Sequence, residues 1–125
     1  MLGSSKNKEK STQIGQTLLN LIGPGTVIKG NVQCNGDIRI DGIVDGNVEV
    51  GQKLVVGESG KITGNISCSE ISIAGEVKGN IQCEKTTILQ GRSSVLGDIR
   101  TKQIIIEKGG VFNGKCEMEA FSNND

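Results

Sequence analysis

Apolar and polar residues alternate along most of this chain in bursts of three or four, and one pattern recurs. An apolar residue is followed by any residue, Gly, Asn or Asp, an apolar residue, any residue and another apolar residue. The unit runs Ile28, Gly30, Asn31, Val32, Cys34, then Val44, Gly46, Asn47, Val48, Val50, then Ile62, Gly64, Asn65, Ile66, Cys68. It continues as Val77, Gly79, Asn80, Ile81, Cys83, then Val95, Gly97, Asp98, Ile99, Thr101 and, more loosely, Phe112, Gly114, Lys115, Cys116, Met118. The aligned glycines are 16, 18, 15, 18 and 17 residues apart. Between the units lie further apolar stretches at 38–40, 54–56, 71–73, 87–89 and 104–106. Period-two alternation predicts strands with one buried face. Strands this short do not make an independent sheet.

A repeat near 17 residues predicts a β-solenoid, in which each repeat is one coil paired with the next across about 4.8 Å. Seventeen residues at about 3.3 Å each give a perimeter near 56 Å, hence a triangular section with sides of roughly 19 Å. Six such coils stack to roughly 29 Å. Equivalent positions then form columns. One runs Ile28, Val44, Ile62, Val77, Val95, Phe112 and another Val32, Val48, Ile66, Ile81, Ile99, Cys116. A third runs Cys34, Val50, Cys68, Cys83, Thr101, Met118.

Composition agrees with a narrow core. Of 125 residues 19 are Gly, 2 are Phe, and none is Trp, Tyr or His. Glycine is roughly twice its average usage, too much for a helical bundle, where each interior Gly costs about 1 kcal/mol relative to Ala. The absence of His removes the usual general base and the commonest metal ligand. A Ser-His-Asp or Cys-His hydrolase, a His-ligated zinc enzyme and a His-held haem are excluded. The expectation is a non-enzyme without cofactor or metal.

Charge removes nucleic acid as principal partner: 14 basic residues balance 14 acidic ones, and two aromatics offer no stacking platform. Outward positions such as Lys29, Arg39, Glu49, Lys53, Glu70, Glu76, Lys78 and Arg100 mix signs, which predicts a solvated surface with ion pairs between coils. The four cysteines show no C-x-x-C spacing and no signal peptide precedes them, so free thiols in a reducing cytoplasm are expected. They read as small buried hydrophobes, with Cys68 and Cys83 on adjacent coils within disulfide reach. The column Asn31, Asn47, Asn65, Asn80, Asp98 reads as a turn-stabilising ladder bonding coil to coil.

Two motifs fail on inspection. Residues 57–63 loosely resemble a phosphate-binding loop, but two residues instead of four separate Gly57 from Gly60, and Ile62 stands where a hydroxyl must hold the metal. Ile22, Ile28, Cys34 and Ile40 match the six-residue spacing of hexapeptide-repeat transferases, yet coils of 15 and 16 residues break that rule and the histidines of those enzymes are absent.

The organisation reads as a disordered arm at 1–13, a β-helix domain at 14–120 and a tail at 121–125. Ile14, Leu18, Leu19, Leu21 and Ile22 fall on one face of a short helix, capped by Ser11 or Thr12, that covers or extends the first coil. Lys6, Lys8 and Lys10 offer attraction to anionic lipid.

The stretch 20–32, NLIGPGTVIKGNV, the repeated Gly-Asn-(Val/Ile) and the short chain with polar ends resemble the bactofilins, bacterial polymer-forming cytoskeletal proteins. The resemblance covers residues 20–118. It implies an all-β fold, a right-handed three-sided parallel β-helix of about six coils, whose subunits join end to end into non-polar filaments without nucleotide. It implies a scaffold for cell-shape, stalk or polarity machinery, cell-wall or morphogenesis proteins as partners, and a place in the cytoplasm at the inner face of the membrane. A hydrophobic N-terminal motif binds membrane in many members, and Met1 and Leu2 are the candidates here. Independently of family, uncapped solenoid ends template strand addition. Ile22 at one end, with Phe112 and Phe121 at the other, are the candidate end-to-end contacts. A monomeric solenoid binding a protein partner on one flank is the alternative.

Overall fold

The computed structural model describes residues 20–118. Eighteen strands of three or four residues are wound so that every third strand returns to the same side. Three parallel six-stranded sheets result. The first face stacks Asn20–Ile22, Ile38–Ile40, Lys53–Val56, Glu70–Ile73, Thr86–Leu89 and Gln103–Ile106. Val27–Lys29, Ile43–Asp45, Lys61–Thr63, Glu76–Lys78, Ser94–Leu96 and Val111–Asn113 form the second face. The third holds Val32–Cys34, Val48–Val50, Ile66–Cys68, Ile81–Cys83, Ile99–Thr101 and Cys116–Met118. This is the expected six-coil, three-sided solenoid.

The register pairs the sequence columns as anticipated: Val44 with Ile28 and Ile62, Val77 with Ile62 and Val95. Inward side chains of the middle coils are fully buried, among them Ile40, Leu54, Ile62, Ile73, Ile81 and Ile99. Each such burial is worth about 1.5–3 kcal/mol, which offsets the entropy of ordering so glycine-rich a backbone. Branched aliphatics suit it because stacked β-branched side chains fill a pleated column without spare rotamers.

Coil length varies at only two of the three corners. From the second face to the third the aligned positions are always four residues apart, as from Ile28 to Val32 and from Val95 to Ile99. Here lies the Gly-Asn pair. A Cβ on Gly64 would fall on the Gly46 carbonyl oxygen, one on Gly79 on that of Gly64, and one on Gly97 on that of Gly79. Gly64 also holds a φ of 151°, where side chains are rarely tolerated. The corner between first and second faces takes the slack. It widens into four-residue turns at 23–26, 57–60, 90–93 and 107–110, each closed by a backbone hydrogen bond from its last N–H to its first carbonyl, as from Gly60 to Gly57 at 2.9 Å.

Two expectations need correction. Leu21 and Ile22 are not helical: Asn20–Ile22 is a strand paired in register with Ile38–Ile40, so it extends the first coil. The helical spacing arose because an apolar run before a turn fits either period, and the long-range partner decides. The rest of that segment, with Met1, Leu2 and Phe121, lies outside the described residues. Cys116 is exposed and Cys34 half-buried, because their terminal coils have a neighbour on one side only, whereas Cys68 and Cys83 are buried as expected. Ion pairs form between coils, as anticipated, and also within them. Arg39–Asp41 at 2.8 Å and Lys78–Glu76 at 3.7 Å join residues two apart, while Arg100–Glu117 at 3.2 Å and Arg92–Glu58 at 3.9 Å link different coils. Positions two apart share a face and need no second coil.

Candidate assembly surfaces

Parallel stacking leaves the backbone donors and acceptors of each terminal coil pointing along the axis. Among the described residues, Asn20–Ile22, Val27–Lys29 and Val32–Cys34 at one end, and Gln103–Ile106, Val111–Asn113 and Cys116–Met118 at the other, have a strand neighbour on one side only. Their inward side chains lose half their packing with it. Ile22, Ile28, Val32 and Cys34 at the first end, and Ile104 and Phe112 at the last, are only partly buried against the core. Ile106 and Met118 are 47% and 55% exposed although their column partners Leu89 and Thr101 are sealed. Of the expected end contacts, Ile22 and Phe112 therefore stand on the two end faces. The sequence columns held a signal for the remainder: every inward position of a first or last repeat is an end-face residue.

The Asn column forms the ladder that its position suggested, with a specific bonding pattern. The Asn31 Oδ1 accepts the backbone N–H of Asn47 at 2.9 Å, Asn47 that of Asn65 at 2.9 Å, Asn65 that of Asn80 at 3.1 Å. Asn80 then accepts from Asp98 at 3.0 Å, and Asp98 from Lys115 at 3.1 Å. At this corner the chain leaves one sheet for the next, and the side-chain carbonyl supplies the acceptor that a sheet neighbour would have given. Beside the ladder, outward Gln33, Glu49, Gln82 and Arg100 of the third face line a groove of about 770 Å³ along the axis.

Cys68 and Cys83 are register partners in the core, both free. The hydrogen bond with Cys83, together with burial, pushes the Cys68 thiol far above its ordinary range. The Cys83 Sγ reaches the Ser69 and Thr86 carbonyls at 3.3 and 3.2 Å, acceptors that suit a protonated thiol. Next to them the Thr87 hydroxyl donates to the Thr101 Oγ1 at 3.0 Å, with both residues fully buried. This polar cluster is buried, and its groups are bonded to one another and to neighbouring backbone carbonyls. Among the described residues no group of His, Cys, Asp or Glu could hold a metal ion, and no helix is long and apolar enough to cross a membrane.

The profile of the family described as bactofilin, polymer-forming cytoskeletal, matches residues 20–117, the span of the six coils. The chain belongs to the bactofilin family. Bactofilin BacN of Myxococcus xanthus is 38% identical over 99 residues, which covers 79% of this chain and 88% of BacN. Bactofilin BacP of the same organism is 27% identical over 117 residues, 94% of this chain, and this chain spans only 48% of BacP. Among solved structures, the double helical filaments of the Thermus thermophilus bactofilin match with a TM-score of 0.72 at 30% identity, over 80% of this chain and 99% of that one.

Proposed function

We propose that this chain polymerises end to end into nucleotide-independent, non-polar filaments that serve as a scaffold for cell-shape or polarity machinery. The observation that carries this reading is the pair of open ends, each combining unpaired strand edges with half-covered core residues. Ile22 and Phe112 lie on those faces, and Phe121 is assigned to the same contact. Identical faces meeting about a twofold axis give head-to-head and tail-to-tail joints, so the polymer has no direction. Nothing in this assembly needs nucleotide: the free energy comes from completing strand pairing and burying apolar ends. The T. thermophilus relative, a filament of double helical form, supports extending assembly, including its paired strands, to this chain.

Sedimentation of the pure protein with and without ATP or GTP tests the reading. Pelleting that is equal in all three conditions is expected, and a stable monomer at high micromolar concentration in physiological salt overturns it. Attachment to the inner membrane face through Met1 and Leu2, aided by Lys6, Lys8 and Lys10, is part of the proposal. Liposome flotation with and without residues 1–13 checks it, and equal flotation removes the arm.

A further inference from the structure

The three outer faces of the solenoid differ in a way that the end contacts do not explain. On the third face the outward column is Gln33, Glu49, Ser67, Gln82, Arg100 and Glu117, polar throughout. The second face also exposes Val27, Ile43, Leu96 and Val111, but Lys61, Glu76 and Lys78 break it across its middle. On the first face one outward column runs Leu21, Arg39, Val55, Ser72, Ile88, Ile105 in strict register over the whole height. Leu21 and Ile105, at its two ends, are 60% and 48% exposed. Its two polar members are already bonded within the chain. The Arg39 guanidinium holds Asp41 at 2.8 Å, and the Ser72 hydroxyl accepts from the Gln90 side-chain amide at 2.6 Å. Ser72 is already buried and the Arg39 Nε–H already bonded, so covering this stripe leaves only the terminal N–H groups of Arg39 to find partners or water at its edge.

We propose that the first face is a lateral docking surface for a second copy of this chain, laid antiparallel about a twofold axis parallel to the strands. That operation keeps each position along the strand and reverses the order of the coils. Leu21 then meets Ile105 of the other copy, Val55 meets Ser72, and Arg39, its charge balanced by Asp41, meets Ile88. Charge is matched as well. Lys53 and Glu70 occupy the same outward position on the third and fourth coils, so each faces the opposite charge across the axis. On the corner side Asp41, held by Arg39, comes opposite the turn that bears Arg92, which pairs with Glu58 of its own chain at 3.9 Å. A parallel arrangement instead sets Arg39 against Arg39. Non-polar strands present subunits in both directions, so an antiparallel neighbour is always within reach. The surface rests on the filament reading for its place in a polymer, but the pairing itself needs no open end.

Two measurements test it in the full chain. In the first, an Arg39→Cys chain is mixed with an Ile88→Cys chain, oxidised, and mapped by mass spectrometry against the wild type with its four native thiols. In one chain these positions lie three coils apart, roughly 14 Å, and end-to-end neighbours do not bring them together. A 39–88 crosslink between copies is expected, whereas an 88–88 crosslink alone overturns the antiparallel arrangement. The second is electron microscopy of Ile88→Glu, a half-buried outward site whose substitution spares the core. Filament width is expected to fall to that of a single strand, about half, with strands still long. Unchanged width without the 39–88 crosslink overturns the proposal and leaves the end-to-end reading standing. A 39–88 dimer in a protein that never polymerises supports it and removes the filament reading. Unchanged width with lost flotation on phosphatidylglycerol vesicles would reassign the stripe to a lipid surface and overturn it too.

Discussion

Asn47 and Asn65 stand one coil apart on the same corner, and the Asn47 side-chain oxygen accepts the Asn65 backbone N–H at 2.9 Å. Replacing Asn47 by Ala leaves that N–H to water at an exposed corner, so a loss of about 0.5–1.5 kcal/mol is expected. Asn47→Asp keeps the acceptor and should lose less. Urea unfolding of the three proteins checks the order, and equal loss in both variants would remove the ladder's role.

Glycine in the same corner is held by backbone and by space. Gly64→Ala meets both a φ of 151° and the Gly46 carbonyl, and a loss of at least about 2 kcal/mol is expected. At Gly36 a Cβ would meet nothing within 4 Å, and Gly36→Ala should stay within about 0.5 kcal/mol of wild type. Thermal unfolding separates the two.

The buried Thr87 hydroxyl donates to that of Thr101, which in turn reaches the Lys85 and Gln103 carbonyls at 3.2 and 2.9 Å. Thr101→Val strands the Thr87 hydroxyl in the core and should cost about 1–2 kcal/mol, while Thr87→Val with Thr101→Val removes both partners and should cost less than the sum of the singles. A double-mutant cycle by urea unfolding measures the coupling. Additive losses would show that the pair does not act together.

End faces predict a change in assembly without a change in fold. Phe112→Arg or Ile106→Arg introduces charge where core residues lie half open, and the polymer should become soluble with the β circular dichroism unchanged. Phe121→Arg tests the remaining candidate contact. Pelleting by all three variants would show that other residues make the joints.

Thiol accessibility should follow coil position. In the unassembled chain iodoacetamide is expected to label Cys116 first, then Cys34, and to reach Cys68 and Cys83 only on unfolding, whereas end-to-end assembly should protect Cys116 and Cys34. Partial burial holds the Cys116 thiol above its ordinary value. Its labelling rate should therefore still be climbing at a pH where a free cysteine has levelled off, since the thiolate reacts. Mass spectrometry across a pH series reads both effects.

Most of the fold was legible because one column position dictates the next. The pairing of Val44 with Ile28 and Ile62 follows from the Gly-Asn repeat, and the Asn ladder follows from its place beside Gly. Legibility ended where a residue's fate depends on what is missing above it. Cys116 and Met118 share columns with buried residues and are nonetheless exposed, since column identity does not encode the last coil's open side. Leu21 and Ile22 misled because three residues of strand are too few to show a period. The apolar column from Leu21 to Ile105 is spread over about 17-residue intervals, one residue per coil, and becomes visible only when the register aligns it.

The invariant four-residue step at the Gly-Asn corner has a consequence for how such a molecule changes over generations. A rod that is ruled along one edge and slack along the other two can gain or lose residues at the slack edges without shifting any later coil out of line. A whole coil can be duplicated or removed on the same terms, because every coil offers its neighbours the same three paired strands. Rod height and surface loops are thus independently editable, and a lineage can lengthen the rod or remodel its flank while keeping the same core.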